Sequence, residues 1–240
     1  MEPTSRKYLF FDLDRAKLSK LLNISDEQMN EMIDGTLTDS MPGIARAVQY
    51  ALRRFGIDVQ DLAALKPFLG PPLRDSFMEF YGMSPEEADR AVAVSREYFV
   101  PRGMFENELY PGIPELLAAT AAAGRVNVIA TSKPQPFAER IAAHFGIDRH
   151  FRLISGSTFD GRRKTKADVI RHALSALGIA PDEAVMIGDR RHDVEGAAEE
   201  GLPAIAVEWG YAPPGELEAA RPLRIVPDVE TLRRLLLGNE

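Results

Sequence analysis

Ala184-Val-Met-Ile-Gly188-Asp189-Arg-Arg-His-Asp193-Val-Glu-Gly-Ala-Ala-Glu-Glu200 sets a strand, its end and a helix in one short stretch. Four apolar residues stop at Gly188-Asp189, helical spacing follows, and Gly201 closes it. The same unit recurs on either side. Tyr8-Leu-Phe-Phe runs into Asp12, Val126-Asn-Val-Ile-Ala into Thr131-Ser132, and Phe151-Arg-Leu-Ile into Ser155-Gly156. Pro203-Ala-Ile-Ala-Val is a fifth such run. Helical patterns are expected over 113–123, 135–145, 165–177 and 191–200, with Gly124, Gly146, Gly178 and Gly201 where C-terminal caps belong. Short apolar strands alternating with helices predict an α/β fold, a Rossmann-like parallel sheet. Ligands of such sheets bind beyond the carboxyl ends of the strands. The acidic and hydroxyl residues of this chain fall at those ends.

The stretch 42–108 breaks the alternation. It reads as helix after helix, over 42–55, 61–67, 72–80 and 85–99, the last opened by Ser84-Pro85-Glu86-Glu87. An all-helical block inserted after the first strand predicts a cap over the site end of the sheet. The expected division is therefore a core of 1–41 and 109–240 and a helical cap of 42–108.

Among 240 residues, 29 Lys and Arg stand against 36 Asp and Glu, a net charge of −7. Binders of nucleic acid or anionic membranes carry a basic footprint instead, so neither partner is expected. The absence of cysteine excludes thiolate metal sites, disulfides and cysteine nucleophiles. Before Asp12 there are only four consecutive apolar residues, too few for a secretory or membrane segment. A cytoplasmic monomer or homodimer is the expectation.

Four elements carry chemistry, in this order: Asp12-Leu13-Asp14, Thr131-Ser132, Lys166 at a helix start, and Gly188-Asp189 with Asp193. Singly, each has a plain structural reading. Asp-x-Asp recurs in solvated turns, Thr-Ser caps helices, Lys166 ends a basic run from Arg162, and Gly-Asp-x-x-x-Asp suits a helix N-terminus. Their joint placement at successive strand ends resembles the haloacid dehalogenase (HAD) superfamily of phosphohydrolases. Within it the chain is similar to the phosphoglycolate-phosphatase-like group with a helical cap. Gly70-Pro-Pro-Leu73 and Leu109-Tyr-Pro-Gly-Ile-Pro-Glu115 carry the same likeness.

The resemblance implies a Mg²⁺-dependent phosphomonoesterase for a small phosphorylated metabolite, such as phosphoglycolate or a nucleoside monophosphate. It implies Asp12 as the nucleophile that forms an aspartyl-phosphate and Asp14 as general acid and then base, its carbonyl also reaching the metal. By the same carry-over Asp193 supports Lys166 or a metal-bound water. The chemistry is coherent on its own terms. A carboxylate approaching a phosphate at about 4 Å meets a repulsion of ~4 kcal/mol per charge pair at an effective dielectric near 20. A divalent cation clamped by Asp12 and Asp189 would offset it, with Lys166, Thr131 and Ser132 on the phosphoryl oxygens. In the cap, Arg74 reads either as a contact for a substrate anion or as a surface salt bridge. His192 and Trp209 read as structural.

The family motif runs Asp-x-Asp-Gly-Thr-Leu without a break. Here residues 15–34 separate Asp14 from Gly35 and Thr36. Excising them, or 14–33, restores the motif, so either Asp14 or Asp34 is its second aspartate. The interrupting stretch has the apolar spacing of a helical hairpin, and so close to the nucleophile it is expected to depress activity. Two other functions share the pattern: a sugar-phosphate mutase of the same fold, and a HAD-fold binding or scaffold protein disabled by the insertion.

Overall fold

The structure, a computed structural model, describes residues 7–12, 36–68, 73–158 and 160–238. These fall into two compact units. One comprises 7–12, 36–39 and 109–238, and the other 40–108.

The first unit is built on a six-stranded sheet of β1 (Tyr8–Phe11), β4 (Val126–Pro134), β5 (Phe151–Ser157), β6 (Ala184–Gly188), β7 (Ala204–Val207) and β8 (Arg224–Val226). Their spatial order is β5-β4-β1-β6-β7-β8, and every pairing is parallel. The chain builds outward from β1 through β4 to β5, then crosses back to β6 on the other side. β1 and β6 therefore flank the point where the strand order reverses, the place where open parallel sheets form a crevice. A two-residue strand, β2 (Thr38–Asp39), pairs with β3 (Glu108–Leu109).

Alternation along the strands explains the layers. Leu9 and Phe11 point to one face with Ile129, Val185 and Ile187. There they meet α4 (Ile113–Ala122), α5 (Gln135–His144) and α9 (Val229–Leu237) through Leu116, Ile141 and Leu235. Phe10 points to the other face with Val128 and Met186, against α6 (Lys166–Leu177) and α7 (Arg191–Glu199) through Ile170 and Ala197. The short α8 (Glu216–Ala220) follows β7. Gly124, Gly146, Gly178 and Gly201 all take a left-handed φ, the backbone conformation in which a side chain is strained and glycine is not.

The second unit is helical: α1 (Met41–Arg54), α2 (Leu73–Tyr81) and α3 (Pro85–Phe99), with 3₁₀ turns at Leu62–Phe68 and Gly103–Phe105. Val48, Leu52, Leu65, Phe77 and Val92 form its own core. Ser84 caps α3 as the sequence predicts: its hydroxyl accepts from the Glu87 amide, and its own amide donates to the Glu87 carboxylate. The helix expected over 61–67 is instead a 3₁₀ segment. Pro67 inside it has no N–H to donate four residues back, which favours the tighter turn.

No described helix is long and apolar enough to cross a membrane.

Candidate active site

Two strand ends, a residue within β4 and two helix starts converge at the crevice. Asp12 follows β1, its amide bonded to the Ile187 carbonyl of β6 at 3.3 Å. Asp189 follows β6, Thr131 lies within β4, Lys166 is the first residue of α6, and Asp193 lies in the first turn of α7. All four charged groups are out of water, with Asp12 5%, Lys166 6%, Asp193 2% and Asp189 0% exposed.

The ammonium of Lys166 spends its three hydrogens inside the protein. It donates to Asp12 Oδ1 and to Asp193 Oδ1, each at 2.8 Å, and to the Ala130 carbonyl at 3.2 Å. Burial works against its charge, but Asp12 and Asp193 outweigh burial and hold its pKa above the usual lysine value. Burial raises the pKa of the Asp12 carboxyl, opposed by Lys166 and by a hydrogen bond from Thr131. Asp189 is pushed up to about 7, first by burial and then by the nearby charge of Asp193. Of these three buried carboxylates, two contact the one buried lysine and the third, Asp189, accepts from neutral donors.

Asp12, Asp189 and Asp193 can each bring a carboxylate oxygen within 4.8 Å of the others. An all-oxygen, negatively charged donor set at that spacing fits a hard divalent cation such as Mg²⁺.

Close packing of backbone leaves room for these side chains. A Cβ on Gly188 would overlap the Asp193 carboxylate, and one on Gly196 would stand 2.7 Å from Lys166 Cβ. Neither glycine has a left-handed φ, so the neighbouring charged group, and not backbone strain, excludes a side chain.

Of the residues singled out in the sequence, Asp12, Thr131, Lys166, Asp189 and Asp193 come together. Thr36 joins them: its buried hydroxyl donates to Asp189 Oδ1 at 3.1 Å. Ser132 is half-buried beside Thr131 in β4. Asp14, Asp34, Gly35 and the expected hairpin 15–34 lie outside the described residues. Arg74, in the helical unit, forms an ion pair with Asp89 at 2.7 Å.

Two features escaped the sequence reading. Lys133, only two residues beyond Thr131, is fully buried, and its amide donates to Thr131 Oγ1 at 3.1 Å. A lysine continuing an apolar strand was the available signal. The other is the loop after β7. Trp209 is half-buried against the core, and its indole N–H donates to the Thr36 carbonyl at 3.1 Å. The Tyr211 amide donates to Asp189 Oδ2 at 2.9 Å, and its hydroxyl donates to Asp39.

Comparison with known proteins places the chain in a family. The family model described as haloacid dehalogenase-like hydrolase matches residues 33–207. A 5′-nucleotidase of Pseudomonas aeruginosa is 47% identical over 204 residues, covering 85% of this chain and 92% of that protein. Tyrosine-protein kinase PtkA of Mycobacterium tuberculosis is 42% identical over 179 residues, and the match spans 75% of this chain but only 61% of that longer protein. A crystal structure of a predicted phosphatase from Clostridium acetobutylicum superposes with a TM-score of 0.74 at 42% identity, covering 97% of this chain and 99% of that one. The chain belongs to the haloacid dehalogenase-like hydrolases. Within that family it is an enzyme of the phosphatase class.

Proposed function

We propose that the chain hydrolyses the phosphomonoester of a small metabolite, a nucleoside monophosphate or phosphoglycolate, through an aspartyl-phosphate on Asp12. The observation that carries this is the buried group of Asp12, Lys166, Asp189 and Asp193 at the crevice between β1 and β6. The relatives named 5′-nucleotidase and phosphoglycolate phosphatase suggest the substrate class.

In the first half-reaction an Asp12 carboxylate oxygen attacks phosphorus, and the bond to the ester oxygen breaks. The departing oxygen takes a proton from the second motif aspartate, Asp14 or Asp34. In the second half a water attacks the phosphorus of the aspartyl-phosphate and gives its proton to that same aspartate. The bond to Asp12 breaks, releasing inorganic phosphate and the free carboxylate. Lys166 favours the ionised form of Asp12 against burial and orients it, and Asp193 in turn holds Lys166. The Thr131 hydroxyl, with Ser132 and Lys166, would receive the phosphoryl oxygens as the ion pairs rearrange around substrate. Asp12 and Asp189, with the carbonyl of the second motif aspartate, would hold Mg²⁺. When bound, this ion would neutralise charge on the phosphoryl group and the nucleophile. The helical unit, 42–108 in the sequence reading, would serve as the cap that selects substrate, with Arg74 a candidate contact.

The test is p-nitrophenyl phosphate hydrolysis by the parent and by Asp12→Asn, with Mg²⁺ and with EDTA. Loss of turnover in the variant and in EDTA is expected. Hydrolysis by Asp12→Asn above about a tenth of the parent would contradict a covalent nucleophile.

The likeness to a named tyrosine-protein kinase favours one further reading. If an acceptor hydroxyl replaced water in the second half-reaction, the same site would transfer the phosphoryl group. Phosphate release without a phosphorylated product would exclude this.

A further inference from the structure

We propose that the loop Trp209-Gly210-Tyr211 is a positioning strap for Asp189, and that Gly210 is the residue that lets it pass. The inference rests on the reading of Asp189 as a metal ligand. Asp189 has no exposed surface, and both of its oxygens are held. Oδ2 accepts from the Tyr211 amide at 2.9 Å and Oδ1 from the Thr36 hydroxyl at 3.1 Å. The strap is itself fastened to the segment that carries Thr36, because the Trp209 indole donates to the Thr36 carbonyl at 3.1 Å. The two donors to the carboxylate are therefore parts of one assembly.

Gly210 runs directly over the carboxylate. A Cβ there would overlap both Asp189 Cβ and Asp189 Oδ2. Gly210 does not adopt a left-handed φ, so its backbone would accept an L side chain. The nearest atoms that forbid one all belong to Asp189. The obstructing atoms belong to a short side chain gripped at both oxygens, so relief would have to come from turning the carboxylate or lifting the strap. Either movement spoils the direction in which the remaining lone pairs of Asp189 face a cation. Loss of such outer hydrogen-bond partners typically weakens metal binding about 10–100-fold.

Mg²⁺ affinity, measured by titration calorimetry on the full chain, tests the proposal without reference to turnover. Gly210→Ala should weaken Mg²⁺ binding at least tenfold. Thr36→Val, which removes one donor and adds no bulk, should weaken it several-fold and serves if Gly210→Ala fails to fold. Trp209 is the chain's one tryptophan, so its emission reports the strap and should change as the parent is titrated with Mg²⁺. A double-mutant cycle separates positioning from general damage: in an Asp189→Asn background, Thr36→Val should change affinity less than twofold. Parent-like affinity in the folded single variants, or an undiminished effect in the Asp189→Asn background, would overturn the strap and leave the reading of the site standing. A parent that binds no Mg²⁺ would overturn both.

Discussion

Lys166 holds together a site that would otherwise repel itself. Its ammonium touches two carboxylates and a carbonyl, and those carboxylates have no water to turn to. Removing one partner of a buried ion pair typically costs about 3–5 kcal/mol, because the other is left charged and unsolvated. Lys166→Met, similar in length, should lower the urea-unfolding free energy of the metal-free protein by that order, and adding Asp12→Asn should restore part of it. If Lys166→Met is as stable as the parent, the ion pairs contribute little and their placement has another cause. Asp12, Lys166, Asp189 and Asp193 were legible in the sequence because each stands just past the end of a strand or in the first turn of a helix. The Gly210 contact was not. Its cause is a van der Waals distance between residues far apart in sequence, which no spacing rule encodes.

At the level of elements, the strand ends were readable because a run of buried apolar residues stops where the chain leaves the sheet. β5 runs on past Ser155 and Gly156 to Ser157, and β4 departs further from the expectation. The sequence suggests an end at Thr131, yet the strand continues through Ser132 and Lys133 to Pro134, and its pairing with β5 shifts register between Ala130 and Pro134. Polar residues in that stretch look like an exit, while the backbone stays extended and delivers Thr131 to Asp12. β8 and α9 went unread after Val207. Arg224–Val226 is too short to show alternation, though Leu232, Leu235 and Leu236 carry a helical spacing. The helix starts were clearer, and one bears directly on the site. Thr165 caps α6, its hydroxyl accepting from the Asp168 amide at 3.1 Å and its own amide donating to Asp168 Oδ2 at 3.0 Å. The next residue is Lys166. Thr165→Ala should therefore cost about 1 kcal/mol in urea unfolding and should also lower kcat, because the first turn that aims Lys166 loosens. Loss of stability with kcat unchanged would show that Lys166 is aimed by its ion pairs alone.

For the whole molecule, the interrupted motif is what sets the chain apart from the family pattern. Its two described flanks reach the same site: Asp12 pairs with Lys166, and Thr36 bonds Asp189. That convergence supports reading 15–34 as a stretch let into an otherwise continuous segment. We propose that it slackens the spacing between the nucleophile and the acid, and misplacement by about 1 Å can cost roughly a hundredfold in rate. A chain lacking 15–34 should show a higher kcat on p-nitrophenyl phosphate, and a rate no greater than the parent's would mark the stretch as tolerated. Turnover through an aspartyl-phosphate requires that Asp12 become phosphorylated. Acid-quenching the enzyme during turnover of a ³²P-labelled phosphate ester and mapping the label by peptide mass spectrometry tests it most directly. A hydroxylamine-labile phosphate is expected on Asp12 and none on Asp12→Asn; phosphate release with label on another residue, or with hydrolysis persisting in Asp12→Asn, would rule out the aspartyl-phosphate.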